Sequence, residues 1–172
     1  MLYTMEYASP IGKLLLGGSE DSITGLWIEG QKYFGSTLRG EQICSGQPPV
    51  LRQAAKWLDR YFAGERPLQT ELPLAPVGGE FRQAVWKLLC EIPYGQVTTY
   101  KKLAERVAAG RGLKTMSAQA VGGAVGHNPI SIIIPCHRVL GTDGRLTGYA
   151  GGIDRKRFLL ALEGVAILER TI

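Results

Sequence analysis

The sequence is poor in the residues that build disulfide scaffolds and metal centres. Its 172 residues include only three cysteines, Cys44, Cys90 and Cys136, widely spaced and odd in number. That pattern excludes a disulfide framework and the paired spacing of a zinc site, and it fits a reducing cytoplasm. No apolar run approaches the roughly 18 residues needed to span a bilayer. Internal repeats and low-complexity tracts are absent. Met1 to Pro10 carries Glu6 and no basic flank leading into an apolar block, so a signal peptide is not expected there. The first half also lacks a catalytic constellation, because Cys44 has no histidine partner in it.

What is present suits a soluble chain of one large or two small domains: 45% of residues are hydrophobic and the mean hydropathy is near zero. Charge is uneven. Residues 1–77 hold 7 Lys/Arg against 8 Asp/Glu, and residues 78–172 hold 13 against 7. A basic half beside a neutral one suits a polyanionic partner, and an ordinary solvated surface is the competing reading.

Along the first half, Leu14-Leu15-Leu16 and Ile23 to Ile28 read as antiparallel strands around Ser19-Glu20-Asp21-Ser22. Leu51, Ala54, Ala55, Leu58, Tyr61 and Phe62 recur at helical spacing, with Gly64 placed to stop that helix. Gly64 to Gly79, with three prolines, reads as a linker. The second half opens with the amphipathic run Phe81, Ala84, Val85, Leu88, Leu89. Thr98 or Thr99 can cap a second helix carrying Leu103, Ala104, Val107 and Ala108, and Ser117 a third from Ala118 to about Gly126. Capped helices separated by a short loop outline a helix-turn-helix. The third keeps Gly122, Gly123 and Gly126, each costing about 1 kcal/mol relative to Ala in a helix interior. Either something approaches its backbone closely or it packs tightly on another helix. Asp154 reads as the N-cap of a last helix, with Ile153 and Phe158 as its hydrophobic staple. Arg155, Lys156 and Arg157 in its first turn read as cations for phosphate or as a solvated helix start.

The chain is organised around Ile132-Ile133-Ile134-Pro135-Cys136-His137-Arg138-Val139. The apolar run reads as a buried strand or extended segment, stiffened by proline. A free cysteine is more often a buried structural residue. A thiol followed at once by an imidazole and a guanidinium also suits a nucleophile, since nearby basic or cationic groups favour the thiolate.

This run resembles the active-site motif of the O6-alkylguanine-DNA alkyltransferases, the methylated-DNA–protein-cysteine methyltransferases. The resemblance extends to Ala120-Val121-Gly122-Gly123-Ala124, Asn128-Pro129, Thr147-Gly148-Tyr149-Ala150-Gly151-Gly152 and Leu162-Glu163-Gly164. It is strong over residues 80–165 and weak over the first 75. It implies an α/β chain of two domains: a small ribonuclease H-like sheet domain with its linker at 1–77, and a mostly helical, winged-helix-like DNA-binding domain at 78–172. The activity it implies is irreversible transfer of an alkyl group from O6 of guanine, and O4 of thymine, to Cys136, once per molecule and with no cofactor. A Cys136–water–His137–Glu163 relay and a hinge role for Asn128 belong to the same implication.

The partner implied is double-stranded DNA, with the third helix in the minor groove and the lesion turned out of the stack. On residues alone, Tyr100 is either a core aromatic or a DNA-facing one, and the resemblance favours the second. Gly148, Tyr149 and Ala150 would line the alkyl pocket, and backbone groups of Cys136, Val139 and Ala150 would bond the guanine edge. The chain departs from the family at Gln119, where better-known members carry an arginine that intrudes into the stack. Ligands for the zinc that some members bind in the first domain are missing. A monomer acting in the cytoplasm, with no metal and no membrane contact, is expected.

Overall fold

In the computed structural model, which describes residues 1–167, the chain divides into two units: Met1–Val77 with Pro129–Ile133, and Gly78–Asn128 with Ile134 onward. Residues 168–172 of the expected second domain lie outside the described residues. Among the described residues no helix is long and apolar enough to cross a membrane.

The first unit is built on alternation. Strand β1, Leu2–Ser9, turns through Pro10-Ile11 into β2, Gly12–Gly18, with Tyr3 opposite Gly18 and Ser9 opposite Gly12. Strand β3, Ile23–Ile28, continues antiparallel to β2 after the expected Ser19–Ser22 turn. A short β4, Ile43–Cys44, pairs parallel to β1, giving the order β3-β2-β1-β4. Gly17 and Gly25 face each other across β2 and β3, and a Cβ on Gly25 would overlap the buried Trp27 ring. Helix α1, Pro49–Phe62, buries Leu51, Ala54, Trp57, Leu58 and Tyr61 in this unit, and Gly64 follows it at φ 84°. Part of the expected linker is ordered on the edge of β3: Ile23 donates to the Pro73 carbonyl and Ala75 donates back to Ile23. The strip Pro129–Ile133 covers the rest of that edge. Leu26 donates to the Pro129 carbonyl at 2.8 Å, and Ser131 donates to Leu26 at 2.9 Å.

The second unit is helical. Helix α2 spans Glu80–Leu89, and β5, Thr98–Thr99, leads directly into α3, Tyr100–Gly110. Helix α4 spans Ala118–Gly126. Thr99 and Ser117 are the N-caps, each accepting from the amide three residues on, at 3.2 Å in both cases. The Trp86 indole N–H donates to the Ala124 carbonyl at 2.8 Å and ties α2 to α4. Strand β6, Val139–Leu140, pairs parallel to β5, and α5, Ile153–Leu162, follows.

Three expectations fail locally. The Ile132–Ile134 run is buried, yet it is a pair of turns and not a strand. Ile132 takes φ 70°, with Ile133 donating to the Ser131 carbonyl, and Pro135 takes φ −82°, ψ 65°, with Cys136 donating to Ile134. These are a γ-turn and an inverse γ-turn, which pair buried backbone groups within three residues. Asp154 does not cap α5: Gly152, at φ 94°, holds that position, while Asp154 pairs with Arg157 at 2.9 Å. No staple forms, since Phe158 is 40% exposed.

Candidate active site

The thiol is delivered by the second of those turns. Pro135 is the central residue of the inverse γ-turn, and Cys136–Arg138 form one turn of 3-10 helix, all three buried. Asn128, itself buried, donates its Nδ2 proton to the Ile134 carbonyl at 2.8 Å, the same oxygen that accepts from the Cys136 amide. The Asn128 side chain and the Tyr149 hydroxyl also act on the thiol, each favouring its ionised form. Cys136 is 4% exposed. Burial pushes its pKa up, against the opposing pull of Asn128, the Lys156 charge, a backbone amide and Tyr149.

His137 and Glu163 meet on the other side of the turn. His137 Nε2 lies 2.6 Å from Glu163 Oε2, with both side chains fully buried. Glu163 follows the last turn of α5 as its C-cap. Arg138 reaches the same carboxylate with Nε at 2.8 Å and Nη2 at 3.2 Å, and donates Nη1 to the Ile92 carbonyl at 2.6 Å. The Gly95 amide adds a further donor at 3.1 Å. Burial alone would raise the Glu163 pKa, but His137 and Arg138 overrule it and hold the carboxyl far below its usual range. His137 moves down, because burial outweighs the attraction of Glu163. The pair at neutral pH is therefore a carboxylate and a neutral imidazole. With the Nε2 proton donated to Glu163, Nδ1 carries the lone pair, and that buried atom has no hydrogen-bond partner among the described residues. Adjacent Cys136 and His137 need not point apart, since their backbone is a tight turn and not a strand.

The remaining expected residues fall into two groups. Tyr100, in the first turn of α3, donates its hydroxyl to the Gly148 carbonyl at 3.4 Å and hydrogen bonds Thr147. Its pKa is pushed up to about 12, by burial and then by the Cys136 charge. Val139 is buried in β6, Tyr149 and Ala150 are half-buried and Gly148 is exposed. Gln119 stands apart: it is exposed in the first turn of α4, and none of the described hydrogen bonds joins it to the thiol cluster. It shares one stripe of that helix with Gly122, Gly123 and Gly126, at spacings of three, four and seven. A Cβ on Gly123 or Gly126 would meet nothing within 4 Å, and one on Gly122 would lie 3.8 Å from the Tyr100 ring. Tight helix packing therefore does not account for these glycines.

Lys156 departs from its expected place among the phosphate-facing cations. Its side chain is fully buried, and Nζ donates to the carbonyls of Val139, Thr147 and Gly148 at 2.6, 3.1 and 3.4 Å. Lys156 shares the buried stripe of Leu159, Leu160 and Glu163, but α5 has too little apolar contrast around its circumference for periodicity to single it out. Among the described residues no three His, Cys, Asp or Glu side chains group closely enough to hold a metal ion.

Comparison with known proteins matches both parts of the chain. Residues 1–76 match the ribonuclease-like domain of 6-O-methylguanine DNA methyltransferase, and residues 80–165 match its DNA binding domain. A methylated-DNA–protein-cysteine methyltransferase of Haemophilus influenzae is 43% identical over 98% of this chain and 90% of its own length. One from Methanosarcina barkeri is 44% identical over 90% of this chain and 92% of its own. Among solved structures, OGT of Mycobacterium tuberculosis in complex with DNA superposes with a TM-score of 0.78 at 41% identity, covering 94% of this chain and 91% of that one. The α/β architecture, with a ribonuclease-like sheet unit and a helical DNA-binding unit, is thus the one expected from the sequence. By both matches, the chain belongs to the 6-O-methylguanine DNA methyltransferase family.

Proposed function

We propose that this chain repairs alkylated DNA directly, by moving the alkyl group from O6 of guanine, and from O4 of thymine, onto Cys136. One observation carries the reading: a buried thiol adjoins a neutral imidazole whose Nε2 is held by an ionised Glu163 and whose Nδ1 is left as a base. In this mechanism a water passes the thiol proton to His137 Nδ1, and Glu163 stabilises the imidazolium that forms. The sulfur attacks the alkyl carbon, the S–C bond forms and the C–O6 bond breaks. The electron pair stays with the base, which takes up a proton and is restored. The product is a thioether that water does not reverse, so each molecule acts once.

A base within the stack cannot present its alkyl carbon to a buried sulfur, so the nucleotide must turn out of the duplex. The glycine stripe of α4 supports entry into the minor groove, where side chains would collide with the walls. Gln119, exposed at the head of that stripe, bonds the base left without its partner. Tyr100 steers the extruded nucleotide. Gly148, Tyr149 and Ala150 receive the alkyl group, with backbone groups of Cys136, Val139 and Ala150 on the guanine edge. Asn128 is the hinge that sets the thiol against α4. In this reading residues 78–172 carry the chemistry and residues 1–77 serve as scaffold, in a monomer working in the cytoplasm on damaged duplex.

Mass spectrometry of the intact protein after incubation with an O6-methylguanine duplex tests the reading. One added methyl per chain, located on Cys136 and absent from Cys136→Ser, is expected. Turnover beyond one equivalent overturns it.

A further inference from the structure

Lys156 is the buried charge that this mechanism leaves unused. A buried ammonium is costly unless it is paired, and none of the ion pairs among the described residues includes Lys156. All three of its hydrogen bonds go to neutral carbonyls, which lower that cost without neutralising the charge. Those carbonyls are not random ones. Val139 follows the Cys136 turn directly, and Thr147 and Gly148 lead into Tyr149, whose hydroxyl favours the ionised thiol. The ammonium also lies 5.9 Å from the Tyr100 ring centroid.

Resting on the alkyl-transfer reading, we infer that Lys156 is a positioning residue of the reaction: it ties the alkyl-pocket loop to β6 and is the fixed counter-charge that the Cys136 thiolate acquires when it forms. The charge balance of the pocket then closes only in the reactive state. The other groups facing the sulfur do not supply this charge. Asn128 and Tyr149 are neutral donors, Tyr100 stays protonated, and His137 is neutral with Glu163 already engaged by Arg138. The arrangement also reads in reverse, because the forming thiolate steadies the ammonium. Burial pushes Lys156 down and the Cys136 charge pulls part of that back, leaving it at about 8.

Two measurements test this in the full chain. The first is the pH profile of Cys136 alkylation by iodoacetamide, read peptide by peptide so that Cys44 and Cys90 are separated. Lys156→Met, which fills the same stripe without charge, should move the midpoint up by about one unit. The thiolate fraction at neutral pH then falls roughly tenfold. Lys156→Arg, which keeps the charge, should restore most of it. An equal slowing at every pH, with an unmoved midpoint, means that Lys156 only holds the loop and overturns the counter-charge. The second needs no change at Lys156: its side-chain NMR titration should shift to lower pH in Cys136→Ser, because linkage is reciprocal. An unchanged titration overturns the inference too. Neither readout uses DNA, so failure of the wild-type protein to accept an alkyl group from the duplex would strike the proposed function and leave these results standing.

Discussion

Gly123→Ala should make the protein more stable and a poorer DNA binder, two effects of opposite benefit from one methyl group. Gly123 lies in the interior of α4, is exposed, and offers a Cβ that meets nothing within 4 Å. The helix-propensity gain from Gly to Ala is about 0.5–1 kcal/mol, with no steric cost to set against it. For a chain of this size that raises Tm by about 1–4 °C. If the stripe lies against the sugar-phosphate walls, the added methyl must displace a wall or the helix. Overpacking of that kind costs about 1–3 kcal/mol, which weakens binding by roughly 5- to 150-fold. Thermal unfolding by circular dichroism gives the first quantity, and fluorescence anisotropy on unmodified duplex at fixed salt gives the second. A stabilised variant with unchanged affinity would refute the minor-groove placement of this stripe. A destabilised variant would refute the reasoning that nothing within the protein needs the glycine.

Gln119→Arg should tighten duplex binding and speed transfer from duplex by up to about tenfold, the factor for 1.4 kcal/mol, since a charged donor to the orphaned base replaces a neutral one. Reaction with free O6-benzylguanine should barely change, and an equal response of both substrates in single-turnover rates would place Gln119 in the pocket instead. Duplex affinity should fall steeply and linearly on a log–log plot against salt, because each phosphate contact releases counterions; a flat plot speaks against a DNA-facing basic unit. Glu163→Gln leaves the buried Arg138 without its counter-ion, and urea unfolding should report a loss of about 3–5 kcal/mol. The Glu163 carboxyl is held low in the folded state, so its contribution is complete above about pH 4.3 and is lost on acidification below that. His137 is also held low, so folding loses stability as pH falls below about 6.5, where only the unfolded imidazole protonates. Unfolding followed against pH should show both declines in the wild type and lack the lower one in Glu163→Gln.

Elements set by local rules were legible in the sequence. Ser117 and Thr99 cap where their side chains can reach an orphan amide, and the Leu14–Ile28 hairpin follows its alternation. Elements set by burial were not. An Ile-Ile-Ile-Pro run has strand composition, but Ile132 takes a left-handed conformation because its surroundings over-determine the backbone there. Three consecutive cations at a helix start look like one solvated cluster, yet helical geometry turns Lys156 inward with Leu159 and Leu160. Asp154 has cap chemistry, but the positive φ of Gly152 starts the helix one residue before Asp154 could cap it. Within the candidate site, Cys136, His137, Arg138 and Glu163 were readable as a set only through their motif. The two turns that aim the thiol depend on packing that no local pattern encodes.

The strip Pro129–Ile133 limits how this protein can be taken apart. It is threaded between two stretches of the helical unit, but its backbone completes the edge of β3. A cut near residue 77 therefore injures both products. The shorter piece keeps the sheet but exposes unpaired amide and carbonyl groups at Leu26, a template for edge-to-edge aggregation. The longer piece keeps Ile130, Ile132 and Ile133, all buried in the intact chain, with no sheet to lie on. Inserted tags belong instead in the exposed stretch of residues 39–42, ahead of β4, where they leave the sheet, the strip and the thiol turn intact.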